Sequence, residues 1–250
     1  MTIDAIEPDP IECARLQAEV PASVAVFAVA LSRESAPQRF YRLKTASGSS
    51  LYPPRFDLAA PVKPPDSYWQ LDDVEMVDCL TFAEFRRRFD RPVPHLLKLD
   101  VQGAKLDILQ SFAPEDWDEL VAIETEVFFE EVYRGQPLFP ALHDFITSKG
   151  FRLFDLVRHP TFFCKNEQRE WYLRNELRLY KDDRDLVKSQ WLHGDAVYLR
   201  GGCARAPAGV AAQLLACVIY RTCDFALWLL DQLDVQALMA PNTCRVFVRR

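Results

Sequence analysis

Two kinds of hydrophobic pattern take turns along this chain. One is a short, nearly continuous apolar run, which predicts a strand covered on both faces. The other is apolar residues at helical spacing, which predicts a helix with one buried face. TIDAIE, residues 2–7, reads as a strand closed by Glu7. PIECARLQAEV follows as a helix, with proline at its first position, where the missing N–H costs no hydrogen bond. SVAVFAVALS, residues 23–32, is almost wholly apolar and predicts a strand buried on both faces. EMVDCLTFAEFRRRF reads as a short strand running into a helix. HLLKLD is a strand, GAKLDILQSF a helix, and LVAIETEVFF, residues 120–129, a strand. LFPALHDFITSKG is a helix with Leu138, Leu142, Phe145 and Ile146 on one face, closed by Gly150. FRLFDLV and DAVYLRG are two late strands, with REWYLRNELRLYKD between them as helix or loop, and residues 207–238 form one or two amphipathic helices.

Residues 37–70 break this rhythm. Pro37, Pro53, Pro54, Pro61, Pro64 and Pro65 punctuate them around ASGSS, which predicts a hairpin excursion or a loop on the substrate side. Elsewhere strand and helix alternate. That order argues for an α/β fold with a mostly parallel sheet and helices on both faces, ending in an antiparallel pair.

Composition narrows the picture. The chain has 250 residues, 49% of them apolar, enough for one well-cored domain with an appendage. The net charge is −6 and no basic patch stands out, so nucleic acid is excluded as a first partner. Arg86, Arg87 and Arg88 read as a solvated helix face. Seven cysteines without a CxxC pair, in a chain too large to need staples, fit reduced thiols in a cytoplasmic protein. His95, His143, His159 and His193 show no metal-ligand spacing and read as surface or core residues. MTIDAIEPDP is acidic and broken by proline, unlike a signal peptide. The most apolar stretch, residues 211–230, is interrupted by Arg221 and Asp224, which argues against a membrane span.

In an open α/β sheet, ligands bind beyond the carboxyl ends of the strands, so polar residues there are the candidates for chemistry. Glu7 closes the first strand and can accept hydrogen bonds from ribose hydroxyls; it can equally be a turn carboxylate favoured by the next helix dipole. Asp100 ends the HLLKLD strand and is followed by Gln102, Gly103 and Lys105. Lys105 shares the face of Ile108, Leu109 and Phe112, at the first turn, and so reaches the strand end near Asp100. The pair reads either as site chemistry or as a structural ion pair at a strand–helix corner. Glu124 and Glu126 share one strand face, where a bare carboxylate is costly. Glu126, nearer the carboxyl end, is the site candidate, and Glu124 reads as structural.

AIEPDP, VALS, GSSL, LLKLDVQGAKLDIL, IETEVFFEEVYRGQPLF and GDAVYLR, in this order, resemble the FkbM family of S-adenosylmethionine-dependent methyltransferases over residues 3 to 200. The resemblance implies a class I methyltransferase fold, Rossmann-like, occupying residues 1–202, with a helical extension over 203–250. It implies S-adenosylmethionine as the cofactor and methyl transfer to a hydroxyl on a small molecule, sugar or glycan. On the cofactor side it assigns Glu7 and Pro8 near the ribose, Ala30, Leu31 and Ser32 at the adenine wall, and Asp100, Val101 and Gln102 at the reactive end. Asp100 is then the base, or one ligand of a divalent ion for which the sequence offers no other support. Glu126 and Lys105 are its partners, and Tyr133, Ser49 and Ser50 lie on the acceptor side.

Two departures accompany the resemblance. The family pattern generally has Glu where this chain has Lys105. The family's first strand, its glycine-rich loop and the next helix would precede Thr2, so the chain reads as N-terminally incomplete, with an empty place between the strands at 2–7 and 95–100. A non-catalytic binding or scaffold protein, or a decayed fragment, on the same fold is the rival reading, with Trp228, Leu229 and Leu230 of the tail as an interface for the scaffold. A nicotinamide-binding protein gives Asp100 no role. Self-association through the tail is compatible with the sequence.

Overall fold

The computed structural model of the chain describes residues 2–57, 69–161, 171, 190–204, 206–232 and 245–247. In chain order the elements are β1 (Thr2–Ile6), α1 (Pro10–Glu19), β2 (Val24–Phe27), β3 (Ala30–Leu31), β4 (Pro37–Leu43), β5 (Leu71–Leu80), α2 (Phe82–Phe89) and β6 (Leu96–Leu99). There follow α3 (Lys105–Gln110), α4 (Asp116–Glu119), β7 (Ala122–Phe128), α5 (Phe139–Ser148), β8 (Phe151–Thr161), β9 (Gln190–Arg200), α6 (Pro207–Ile219), α7 (Cys223–Asp231) and β10 (Arg245–Phe247).

The fold is mixed α/β. A seven-stranded sheet has the order β2-β1-β10-β6-β7-β9-β8, and a second, three-stranded sheet has the order β3-β5-β4. In the large sheet β2, β1, β10, β6 and β7 run parallel, while β9 and β8 pair antiparallel. Helices cover both faces. Leu97, Leu99, Ile123, Val127 and Tyr198 look into one core with Phe82 and Phe85 of α2, Ile108 and Leu109 of α3, and Leu142 and Ile146 of α5. Leu96, Ala122, Val197 and Leu199 look the other way, against Ala212 and Ala216 of α6 and Leu229 of α7. Neighbours along a strand point to opposite faces, so these strands are apolar throughout where helices cover both sides.

The structure corrects three local expectations. The apolar run at 23–32 is not one strand buried on both faces. It divides at Ala28 and Val29 into β2, a half-buried edge strand, and β3, which crosses to the small sheet. An edge strand has one partner only, so continuous hydrophobicity did not require a central place. Strand β9 begins at Gln190, five residues before the DAVYLRG run. Arg86 is not simply solvated: its guanidinium pairs with the fully buried Asp116 carboxylate, while Arg87 pairs with Glu84. The REWYLRNELRLYKD segment, apart from Trp171, and residues 233–238 lie outside the described residues.

The place expected to be empty between the strands at 2–7 and 95–100 holds β10. Thr2, Ile3 and Asp4 pair with Arg245, Val246 and Phe247, and Val246 and Phe247 pair with Leu96 and Leu97. The stretch expected as a helical extension therefore supplies two helices and then a strand of the main sheet. No helix among the described residues is long and apolar enough to cross a membrane.

Candidate functional site

The parallel strands β1, β6 and β7 bring their carboxyl ends to one edge of the large sheet. Glu7 follows β1, Asp100 follows β6, and Glu126 sits two residues before the end of β7. A cavity of about 430 Å³ opens there, lined among others by Glu7, Asp9, Glu12, Arg15, Phe40, Ser49, Asp100, Val101, Gln102 and Glu126. Five carboxylates face one guanidinium, and Arg15 is already bound to Glu12 and Glu19 at 2.8 and 2.9 Å. The cavity therefore favours cationic or neutral polar groups over anions.

A narrow cleft adjoins it, lined by Pro8, Ala30, Leu31, Phe40, Ser49, Ser50, Leu51, Val101, Gln102 and Ala104. Its walls are mostly apolar, but the open space between them is only about 10 Å³, less than a flat ring fills. Ser32 lines neither space. It is buried, its N–H donates to the Leu80 carbonyl at 2.9 Å, and its Oγ accepts from Gln38 Nε2 at 2.9 Å.

The sequence sets Glu7 by a turn. Asp9 caps α1 through hydrogen bonds from Ile11 N and Glu12 N, and its own N–H donates to Glu7 Oε1 at 2.9 Å. That fixes the carboxylate at the mouth.

Asp100 owes its position to the turn at Gly103. Gly103 has φ +86°, a left-handed conformation that glycine adopts without strain. A Cβ there would lie 3.1 Å from the Tyr52 ring, whose hydroxyl donates to Asp107 Oδ2 at 2.7 Å. Gly103→Ala is therefore expected to destabilise the chain by about 1–2 kcal/mol from backbone strain alone, with the Tyr52 contact added. Urea unfolding at neutral pH checks this; an unchanged midpoint would refute it.

Burial raises the Asp100 carboxyl above the ordinary range, the Glu126 charge adds to the effect, and Lys105 and Lys98 oppose it. No described residue donates a hydrogen bond to this carboxylate. A carboxylate with a raised proton affinity at the floor of a cavity can accept a proton from a bound group.

Lys105 does not close an ion pair on Asp100. Its ammonium lies 3.0 Å from Glu126 Oε2 and 4.8 Å from the centre of the Phe128 ring, and the lysine is buried. Gln102 Nε2 reaches the same oxygen at 3.4 Å, and His193 Nδ1 lies 3.3 Å from Oε1. Burial works to raise the Glu126 carboxyl, but Lys105 and His193 outweigh it and lower it to about 2. Glu126 is thus a fixed anion and Asp100 the titratable group beside it. Sequence reasoning missed His193. It joins the cluster because β9 runs antiparallel to β7 with Phe128 opposite His193, and the two rings stack at 5.7 Å. Only that register brings the histidine to the site.

Ser49, Ser50 and Tyr133 tie the loop after β4 to the strand end. Ser50 Oγ donates to the Gln102 carbonyl at 2.5 Å, and Ser49 Oγ accepts from Leu43 N at 3.0 Å. Tyr133 is buried; its hydroxyl lies 2.9 Å from the Gly48 carbonyl and 3.2 Å from Gln102 Oε1. Ser49 lines the cavity, whereas Tyr133 stands behind Gln102 and holds it. Glu124, on the covered part of the face, is held by Lys98 and by the Tyr220 hydroxyl at 2.9 Å. Among the described residues no group of three or more His, Cys, Asp or Glu side chains is placed to hold a metal ion.

A family model described as the methyltransferase FkbM domain matches residues 3–153. That span runs from β1 into β8 and includes Glu7, Asp100, Lys105 and Glu126. Comparison with curated proteins and with solved structures gave no match.

Proposed function

The chain belongs to the FkbM methyltransferase family, and from that premise we propose that it is an S-adenosylmethionine-dependent O-methyltransferase acting on a small-molecule, sugar or glycan hydroxyl. The observation that carries the reading is the pairing of Glu7 and Asp100 on one acidic cavity, with Asp100 raised by burial.

The residues fit the cationic part of the cofactor. Its sulfonium and ammonium are cationic and match the acidic lining, while its carboxylate meets only Arg15 there, which is already paired with Glu12 and Glu19. Its flat adenine would have to part the apolar walls of the adjoining cleft, Pro8, Ala30, Leu31 and Phe40, which enclose only about 10 Å³. Glu7 would accept from the ribose hydroxyls, and Val101 and Gln102 would border the reactive end. S-adenosylmethionine supplies an activated methyl group when bound.

The chain's own residues then do the rest. Asp100 takes the proton from the acceptor hydroxyl, which is a poor nucleophile while protonated. Glu126, fixed by Lys105, Gln102 and His193, keeps a constant charge beside it and offers an acceptor for a second hydroxyl. The loop at Ser49 and Ser50, tied to Gln102, borders the cavity, and positioning of this kind can supply much of the rate.

The test is calorimetric titration of the chain with S-adenosylhomocysteine. Micromolar binding is expected, weakened about 10- to 100-fold in Glu7→Ala, the loss of hydrogen bonds to one charged group. A folded chain that does not bind would overturn this reading and favour a binding or scaffold role.

A further inference from the structure

We propose that β10 is a positioning segment for the cavity: by pairing on both sides it joins the half of the sheet that carries Glu7 to the half that carries Asp100. The effect on cofactor affinity rests on the proposed function; the effect on the sheet does not. Among the described residues, β1 and β6 share backbone hydrogen bonds only through β10. Its three residues are in register with Thr2–Asp4 on one side, and Val246 and Phe247 are in register with Leu96 and Leu97 on the other. Without it, β1 and β6 become two facing edges, each with a row of unpaired N–H and C=O groups. Among the described residues, side-chain ties between the halves include the Arg91 pair with Asp4, the Phe27 ring against Phe85 and Phe89, and the packing of Ile6 into the main core. They hold the halves near each other but do not fix the register of their ends.

The geometry of the cavity depends on that register. Glu7 lies at the end of β1 and Asp100 at the end of β6, and both line the same space. Their separation is set by the strand between them, because neighbouring strands keep a spacing near 4.8 Å. The segment that sets it is remote in sequence from both partners, so docking it closes two very long loops. Such a contact forms late in folding, and the cavity forms with it.

The test uses the full chain with Val246→Pro. Proline removes an N–H and fixes φ, which a central strand does not tolerate. Hydrogen exchange is expected to show loss of protection at residues 3–6 and 96–99 while 151–157 and 194–200 keep theirs. Affinity for S-adenosylhomocysteine is expected to fall at least tenfold. Val246→Ile, which keeps the N–H and the β-branch, should behave as the parent chain. A peptide of residues 241–250, added to the Val246→Pro chain under reducing conditions, should restore both protection and affinity. A purely global loss of stability would expose all strands alike and would not respond to the peptide; that result, or unchanged exchange at residues 3–6 and 96–99, would overturn the proposal. If the parent chain shows the expected exchange contrast but binds no S-adenosylhomocysteine, the joined sheet stands and the methyltransferase reading falls.

Discussion

Asp100→Asn is expected to lower the methyl-transfer rate about 10²- to 10⁴-fold, the usual contribution of a general base, and to leave S-adenosylhomocysteine affinity within a few-fold. The same change is expected to make the protein more stable at neutral pH. Burial and the Glu126 charge raise the folded-state value of Asp100 above that of an unfolded chain. Between the two values the folded state holds more protons, so stability is lost as pH rises through the folded value. At neutral pH the ionised carboxylate is therefore a cost, and an amide of nearly the same shape removes it. In the parent protein the proposed methyl-transfer rate should fall on the acid side as Asp100 protonates, at a pH above the ordinary carboxylate range. Initial rates across pH and a urea melt of both proteins check this. A variant that keeps full activity, or one destabilised at neutral pH, would refute the assignment.

Much of this candidate site's geometry is legible in the sequence. A carboxylate that ends an apolar run and precedes a glycine is visible in HLLKLDVQGAKL, because a strand end, a left-handed turn and a helix start each leave a local mark. Glu7 ahead of a capped helix was visible for the same reason. Lys105 was placed on the inner face of α3 by helical spacing. Its choice of Glu126 over Asp100 was not visible, because it depends on the parallel pairing of β6 with β7, which puts Glu124 opposite Lys98 and Glu126 further toward the mouth. His193 needed a second pairing, β7 with β9. The three residues of β10 were hidden for a different reason. RVF is too short to show a period, and the partners that make it a strand lie at the beginning and middle of the chain. Local pattern identifies elements; it does not say which distant element will stand between them.

The Lys105–Glu126 pair gives the largest stability effect expected here. Both side chains are nearly buried, 6% and 14% exposed, and their charges satisfy one another at 3.0 Å. Lys105→Met keeps the length and the apolar stem against Phe128 but removes the ammonium. The Glu126 carboxylate is then left buried with Gln102 at 3.4 Å and His193 at 3.3 Å. Breaking a buried pair from one side costs about 3–5 kcal/mol, a fall in Tm of roughly 6–20 °C for a chain of this size. The loss should depend on pH. In the parent protein the Glu126 value is lowered to about 2, so its contribution is present above the ordinary carboxylate range and is lost only as pH falls toward 2. Without Lys105 that value rises, Glu126 protonates at a milder acidity, and the neutral acid is easier to bury. The gap between variant and parent should therefore be widest at neutral pH and narrow in acid. Adding Glu126→Gln to Lys105→Met removes the stranded charge and should recover most of the stability at neutral pH. Urea unfolding of the parent, both single variants and the double variant, at neutral and acid pH, closes the cycle. An equal loss at both pH values, or a double variant no more stable than Lys105→Met, would show that the lysine acts by packing rather than by charge. Activity should not return with stability in the double variant, because the fixed anion beside Asp100 is gone. That split separates the pair's structural role from the part in the chemistry proposed for it.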